Sequence, residues 1–294
     1  MTTEVTPVRR APAGKRRGAR FYVGRTLTYF LLVVGGLVIL APFLWLLRSV
    51  FTPDDILYSQ NADIIPERFT FDQIKAAFTQ GILPFNVYFV NSLIVTAIAV
   101  ISNVIFCGLA GFALARLRFR GRTILLAVIV LMLGVPIESR IIPLYLMVTK
   151  TQLSNSYLGI VLPLLVTSLG IFLMRQYVMT IPFEIDEAAR VDGASVWRLY
   201  WQIIVPICRP VLAAIAIFSF ITAWNDYLWP LVIVQSQDMQ TLPLAVANLA
   251  VVKDQLRWGT LLAYSLLSAL PVLIFYIFLQ KQFVAGIAGG AVKG

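Results

Sequence analysis

The sequence contains no histidine and only two cysteines, Cys107 and Cys208, both in apolar surroundings. This composition excludes a Cys/His zinc site, a histidine-dependent catalytic triad and a disulfide framework. No Gly-x-x-x-x-Gly-Lys-Ser/Thr phosphate loop occurs either, so the chain cannot hydrolyse ATP by that chemistry. We therefore expect no catalytic residue, no bound metal and no cofactor in this chain.

Charged residues are also scarce. Only 13% of the 294 residues are charged and 59% are hydrophobic, whereas soluble domains are about 25% charged. A soluble globular protein is thereby nearly excluded. The formal net charge of +10 would favour nucleic-acid binding in a soluble chain. Most of it comes from residues 1–25, however, which hold seven basic residues and one acid.

Six apolar runs are candidates for crossing a membrane, which takes about 20 residues for about 30 Å of hydrocarbon. The third run is free of charge only to Ile137, so this helix either ends early or carries Glu138 and Arg140 near its far end. The pattern predicts an all-α integral membrane protein with six transmembrane helices. The runs are residues 26–47, 87–113, 123–137, 157–174, 210–226 and 260–280.

The distribution of basic residues orients these spans, because short cytoplasmic loops collect lysine and arginine. Seventeen of the 24 basic residues lie in the N-terminal tail, in alternate loops and after the last span, and the opposite loops hold five. Both termini are predicted to be cytoplasmic. The predicted parts are a disordered basic tail (1–25), a first span with an outer loop that includes a short helix around 71–78 (26–86), a core of five spans (87–281) and a cytoplasmic C-terminal tail (282–294). For the basic tail, a topology signal is favoured over binding of anionic lipid or a regulator.

The cytoplasmic segment 175–208 is too long and too patterned for a simple connector. Pro182 suits the first turn of a helix, in which the acids Glu184, Asp186 and Glu187 favour the helix dipole. Ile185, Ala188 and Ala189 then share one face, and the two alanines allow a partner surface to approach closely.

Gly193 is predicted to end this short helix or to take a left-handed turn. Ser195 then caps a second helix with Val196, Tyr200 and Ile203 along one stripe. A rigid helix pair with an acidic tip favours docking onto another protein. The alternative is an amphipathic hairpin on lipid, which is disfavoured because anionic head groups repel the acids.

Several parts of this chain resemble a known family. The loop contains a pattern that resembles the EAA motif of the membrane permease subunits of ATP-binding-cassette importers. The pattern consists of Glu187-Ala188-Ala189, Gly193 and Ile203-Ile204-Val205-Pro206, with Val205 where leucine is usual. The stretches 181–195, 224–230 and 290–294 resemble the carbohydrate-uptake branch. The similarity spans residues 27–294 and is closest to the second permease of maltose-type and glycerol-3-phosphate-type importers.

The resemblance implies an importer permease fold whose loop 180–206, between the fourth and fifth spans, carries a coupling helix. In the family this helix seats in a cleft on a separate ATPase subunit, which binds ATP and Mg, and ATPase closure rocks the permeases from inward-facing to outward-facing. The implied partners are a second, dissimilar permease, a dimer of ATPases and an extracytoplasmic solute-binding protein in a prokaryotic cytoplasmic membrane. The implied coupling residues are Ile185, Glu187, Ala188, Ala189, Asp192 and Gly193.

Two polar groups near span ends are candidates for contact with the transported solute. Asn225 and Asp226 adjoin Trp224, Tyr227 and Trp229, a combination that can stack on sugar rings and bond their hydroxyls. An aromatic belt at the membrane interface explains the same residues.

Glu138 and Arg140 form the second group. They are either an interfacial ion pair or anchor, or a contact to the solute, since Pro-x-Glu-x-Arg resembles glycerol-3-phosphate-type permeases in which Arg140 could hold a phosphate. Asn91 and Asn103 are instead predicted to form hydrogen bonds between helices.

The sequence thus favours a permease subunit of an ATP-driven, binding-protein-dependent importer of a sugar, oligosaccharide or polyol phosphate. Within the family, a glycerol-3-phosphate or glycerophosphodiester permease is the alternative. An ion-coupled secondary transporter is disfavoured because the chain lacks internal repeats and a midplane acid–base relay. A scaffold without a transport role is disfavoured because it needs neither proline-kinked spans nor a stiff docking loop.

Overall fold

The structure is a computed structural model that describes residues 19–57, 65–66, 68–79, 84–251 and 258–291. All regular elements in these ranges are helical, as the hydrophobic runs predicted. The helices are α1 (Ala19–Val50), α2 (Asp54–Leu57), α3 (Asp72–Thr79), α4 (Phe85–Arg116), α5 (Arg122–Leu133), α6 (Ile141–Lys150), α7 (Tyr157–Leu164), α8 (Ser168–Thr180), α9 (Glu184–Val191), α10 (Val196–Ile207), α11 (Arg209–Asn225), α12 (Leu228–Ile233), α13 (Leu242–Val251) and α14 (Trp258–Ala291). Helix α3 confirms the short helix expected around 71–78.

Three spans stand alone as helices long and apolar enough to cross a membrane, and three more are bent pairs. The single helices are Gly24–Val50, Phe85–Arg116 and Trp258–Phe278. The pairs are Arg122–Leu133 with Ile137–Lys150, bent by 110°, α7 with α8, bent by 43°, and α10 with α11, bent by 79°. If each bent pair is one span, the described ranges contain six spans at the predicted places.

The chain divides into two compact units, one ending at Arg48 and one beginning at Ser49. The described part of the first unit is a single helix that continues through Pro42. It begins at Ala19, before the expected boundary at residue 25, since residues 19–25 contain no proline to stop it. Most of the predicted basic tail, residues 1–18, lies outside the described residues.

The last helix is also longer than the predicted span. The backbone of α14 stays helical to Ala291, beyond residue 280. Residues 281–291 contain no proline, and the helix continues past the apolar run through three glycines, Gly286, Gly289 and Gly290.

The first helix of the third span ends early. Helix α5 stops at Leu133, and Glu138 and Arg140 lie in a separate 3-10 turn before α6. Gly134 and Pro136 account for the stop, because proline lacks the N–H that would continue the helix and its ring clashes with the preceding turn.

Close contact between α4 and α8 forms the centre of the second unit. A Cβ atom on Gly111 would lie 2.5 Å from the Cβ of Met174, and one on Gly170 would lie 2.8 Å from the sulfur of Cys107. Only glycine fits at such distances, as is common where membrane helices pack tightly.

A buried asparagine on α4 holds the break between α7 and α8. The side-chain amide of Asn103 donates to the carbonyl oxygen of Leu164 at 2.6 Å, the end of the first half. Its carbonyl oxygen accepts from the backbone N–H and the hydroxyl of Thr167, at 3.0 and 2.8 Å, just before the second half begins. The prediction that Asn103 bonds between helices is thereby confirmed.

Asn91, which precedes Asn103 on α4, confirms the same prediction. Its amide donates to the backbone carbonyl oxygens of Asp238 and Gln240, at 2.6 and 2.9 Å, and its own carbonyl oxygen accepts from the hydroxyl of Tyr157 at 2.6 Å.

Gly111→Ala should destabilise the protein by about 1–3 kcal/mol, because the added methyl group requires the side chain of Met174 and the backbone of Arg175 to shift. The measurement is the thermal unfolding midpoint in detergent. Gly134→Ala is the matched control, since its Cβ would meet its nearest neighbour at an ordinary 3.6 Å. Equal midpoints for the two variants would contradict this account of the packing.

Asn103→Leu should cost about 1–3 kcal/mol for each backbone group left unpaired at the break, namely the Leu164 carbonyl and the Thr167 N–H. Hydrogen exchange at residues 164–170 reports the effect locally, and faster exchange is expected there than in α11. Unchanged protection of the break would show that Asn103 does not hold it.

Candidate coupling loop and transport path

Helix α9 is the short acidic helix that the sequence predicted, and it is called the docking helix below. It carries Glu184, Asp186 and Glu187 in its first turn and ends at Val191. Gly193 then takes a left-handed backbone conformation with φ of +76°, as predicted, and the N–H of Ala194 returns to the carbonyl oxygen of Ala189 at 2.9 Å. No atom lies within 4 Å of a Cβ built on Gly193, so the backbone angle alone favours glycine.

The second helix of the loop also begins where it was predicted. The hydroxyl oxygen of Ser195 accepts from the N–H of Arg198 at 3.3 Å, which confirms the cap. The expected stripe is only partly formed, because Tyr200 is buried and Val196 is exposed. A π-helical turn over Leu199–Ile204 widens the repeat and moves Val196 away from the stripe.

The residues expected on one partner-facing surface are divided between two faces of the docking helix. Ala189 is buried and Ile185 is partly buried, and both pack into a cluster of this chain that includes Met174 and Tyr200. Ala188 lies on the exposed side. The division arises because the helix lies against the chain's own core, and the small side chain of Ala189 permits that approach.

The exposed side of the docking helix is acidic with small apolar groups between the acids. It presents Glu184, Glu187, Ala188 and Asp192 to its surroundings, and Val191 beside them is 88% exposed. Such a surface suits a partner with basic residues around a shallow apolar contact.

Asp186 faces the opposite way, and its partner was not predicted. Its carboxylate is fully buried, and an oxygen lies 2.9 Å from the Nε of Arg116, which is 7% exposed at the end of α4. Burial raises the pKa of Asp186, and the guanidinium groups of Arg116 and Arg190 oppose that rise. Removing one member of such a pair leaves an uncompensated buried charge, at a cost of about 3–5 kcal/mol.

The pair escaped prediction because Asp186 was assigned to the helix dipole. One signal could have found it. Asp186 lies three residues before Ala189, and positions three apart share a helix face, so an acid on the buried side needs a basic partner. Arg116 is the first charge after the long apolar run 87–115, which makes it the natural candidate.

The two tryptophans near the end of α11 are buried structural residues. The indole N–H of Trp224 donates to the carbonyl oxygen of Ser268 at 3.0 Å, and that of Trp229 donates to the carbonyl oxygen of Gly159 at 3.1 Å. The ring of Trp224 also stacks on Phe220. These partners lie within the chain, so the geometry differs from the expectation that Trp224 faces a solute.

The polar neighbours of these tryptophans are placed differently. A carboxylate oxygen of Asp226 accepts from the N–H of Trp229 at 3.3 Å, at the start of α12. Asn225 is exposed, and its amide donates to the carbonyl oxygen of Ile221 at 2.8 Å. Tyr227 is about half exposed. Of the predicted cluster, only Asn225 and Tyr227 therefore present free surface.

Glu138 and Arg140 are both exposed on the turn before α6. In the described ranges, ion pairs join Arg68 to Asp55 and Arg116 to Asp186, and none joins Glu138 to Arg140. A direct ion pair, one of the two alternatives, is therefore not formed there, as fits a 3-10 turn that offsets residues two apart by about 240°. The alternatives of an interfacial anchor and of a contact to the solute both stay predictions.

A small cavity beside the break in the fourth span was not predicted. It has a volume of about 120 Å³, and Thr167, Ser219 and Thr222 line it together with Phe218. Serine and threonine are common in apolar runs, so nothing in the sequence distinguishes these three. Only the packing of α8 on α11 brings them together.

Within the described ranges, no group of three or more cysteine, aspartate or glutamate residues is placed to hold a metal ion. The buried thiols of Cys107 and Cys208 are free.

Comparison with known proteins identifies the family. Residues 108–286 match the family model described as "Binding-protein-dependent transport system inner membrane component". The chain is 34% identical over 255 residues to the arabinooligosaccharides transport system permease protein AraQ of Halalkalibacterium halodurans, covering 86% of this chain and 91% of the relative. It is also 34% identical over 255 residues to the diacetylchitobiose uptake system permease protein DasC of Streptomyces coelicolor, again covering 86% of this chain and 91% of the relative.

A solved structure shares the fold. A chain from the crystal structure of a bacterial ABC transporter involved in the import of the acidic polysaccharide alginate superposes with a TM-score of 0.81 at 22% identity, covering 91% of this chain and 99% of that one. With the family match over more than half of the chain, the conclusion is plain: the chain belongs to the family of inner-membrane components of binding-protein-dependent transport systems.

Proposed function

We propose that this chain is a permease subunit of an ATP-driven importer that carries a carbohydrate or polyol phosphate across the cytoplasmic membrane of a prokaryote. One observation carries the proposal: relatives similar over most of both chains are permeases for arabinooligosaccharides and diacetylchitobiose. A further relative, 29% identical over 264 residues, is the sn-glycerol-3-phosphate transport permease UgpE of Yersinia pestis. An oligosaccharide is therefore favoured over a polyol phosphate as the solute.

The partners follow from the family. The chain pairs with a second, dissimilar permease, receives solute from an extracytoplasmic binding protein and is driven by a dimer of ATPase subunits that bind ATP and Mg. The charge pattern supports cytoplasmic termini, because the strongly basic segments 1–25 and 116–122 then lie on the same side as the docking helix.

The exposed side of the docking helix is the proposed contact with the ATPase. Glu187 pairs with a basic residue of the ATPase cleft, Ala188 permits close approach, and Asp192 adds a second acid beside Gly193, which sets the turn. The acidic surface and the left-handed turn support this assignment. Ala189 and Ile185 act from behind, by fixing the helix on the core.

The solute path is proposed to run past the exposed polar groups of the fifth span. Asn225 and Tyr227 are its best candidates, since both are exposed and lie on either side of Asp226, between the end of α11 and the start of α12. Asp226 and Trp224 support them by holding the start of α12 and the packing behind it. Arg140, with Glu138 nearby on an exposed turn, is the proposed contact for a phosphate if the solute carries one.

Uptake in proteoliposomes tests the transport proposal. The chain is reconstituted with its second permease and ATPases, the binding protein is added outside, and labelled arabinooligosaccharides, diacetylchitobiose, lactose and glycerol 3-phosphate are offered. Uptake of at least one compound is expected, dependent on ATP and on the binding protein. Accumulation on a proton or sodium gradient without ATP would identify a secondary transporter instead.

Glu187→Lys should reverse the charge at the ATPase contact and lower uptake by about tenfold or more, because each 1.4 kcal/mol lost from an interface is a factor of ten. Membrane insertion and co-purification of the second permease should be unaffected. Normal uptake by this variant in cells would refute the docking role.

Gly193→Val should also impair coupling, because a β-branched residue resists a φ of +76°. The matched variant is Gly193→Asn, since asparagine tolerates the left-handed region and the space around the position is open. Uptake per ATP hydrolysed should therefore fall in the valine variant and remain close to normal in the asparagine variant. Equal values for both would show that the turn does not matter.

A further inference from the structure

One guanidinium group makes three contacts along the segment that begins the docking helix. Arg116 lies with its Nε 2.9 Å from the carboxylate of Asp186, and an Nη donates to the carbonyl oxygen of Ile181 at 2.7 Å. Its central carbon also lies 5.6 Å from the centre of the Phe183 ring. The contacts span six consecutive residues, so the group fixes both the first turn of α9 and the approach to it.

The contacts of Arg116 join the end of one helix to the start of another. Arg116 is the last residue of α4, a continuous helix from Phe85 that is long enough to cross the membrane. Asp186 is in the first turn of the docking helix. The cation thus lies at the negative end of one helix dipole and the carboxylate at the positive end of the other, so both dipoles favour the pair.

The other contacts of the docking helix do not fix its orientation to the same degree. Ala189 and Ile185 contact an apolar cluster, and apolar contacts are not directional. The guanidinium group of Arg116, by contrast, is held by two contacts at once, the buried ion pair with Asp186 and the hydrogen bond to the carbonyl oxygen of Ile181. Its planar, rigid shape can satisfy both contacts only in a narrow range of positions. Rotation or sliding of the docking helix against α4 would separate the Arg116 guanidinium from the Asp186 carboxylate within a buried site.

We propose that Arg116 and Asp186 form the rigid joint through which movement of the docking helix is delivered to the second span, α4. They are positioning residues that contact neither the ATPase nor the solute. The proposal rests on the proposed function, because it needs the docking helix to receive the work of ATP. It adds the step that follows docking and assigns it to the face of the docking helix that is buried within the chain.

The test is the amount of carbohydrate taken up per ATP hydrolysed, measured in the reconstituted transporter with the compound that the uptake panel identifies. Arg116→Gln should lower this ratio by about 2- to 30-fold, the range expected when a residue between two sites modulates their coupling. Arg118→Gln is the matched control, because Arg118 is an exposed arginine two residues away, and its ratio should be normal. Arg116→Lys keeps the charge without the fork and should give an intermediate ratio.

A double variant separates coupling from folding. Arg116→Met with Asp186→Leu removes both charges together, and such replacements commonly preserve stability. It should assemble with the ATPases and yet hydrolyse ATP with poor uptake, since the directional contact is gone. A normal ratio in the double variant or in Arg116→Gln would overturn the proposal.

Glu187→Lys, measured alongside, distinguishes the two levels of failure. If Glu187→Lys lowers the uptake per ATP hydrolysed while the Arg116 variants keep a normal ratio, the docking role stands and the proposed joint is refuted. If it is also normal, the proposed docking function fails as well.

Discussion

The fold of this chain depends on the need to pair every backbone polar group that a broken membrane helix leaves open. Lipid offers no hydrogen bonds, so a break inside a span is stable only where side chains take the place of the missing helical partners. Asn103 does this for the fourth span, by binding the last carbonyl of one half and the first N–H of the next. Because Asn103 lies in a π-helical turn of α4, the shape of one helix is tied to the bend in another.

In the docking helix, the need for a buried partner applies to a charged side chain. Its exposed acids face outward, whereas its one buried acid is compensated by the last residue of α4. The two faces of the helix therefore differ in their electrostatics. The outer face, the proposed contact with the ATPase, carries exposed acids whose interactions water and salt weaken, and the inner face holds an ion pair shielded from both. A short helix with only an outer face would lack any defined connection to the membrane spans.

Much of the architecture was predictable because its signals are local. Apolar runs gave the spans, and Gly134 with Pro136 explains why the third run is too short. The turn at Gly193 and the cap at Ser195 depend on residues within three or four positions, so they were predicted correctly. The candidate solute residues stay a prediction, and their burial could not be predicted from the sequence. Trp224 is a buried structural residue whose hydrogen-bond partner lies 44 positions away, and composition does not distinguish a buried tryptophan from one that faces a path.

By itself, the sequence determined the class of protein, the places of the spans and the local form of the coupling loop, since hydrophobicity, proline, glycine and capping residues act over a few positions. Only the tertiary structure decided which side chains face inward. The Arg116–Asp186 pair joins residues 70 positions apart, and Thr167 and Ser219 line the same cavity only because α8 packs on α11. Such contacts depend on how helices that are distant in sequence pack together. Burying a polar or charged side chain costs free energy only where a packed neighbour excludes water from it.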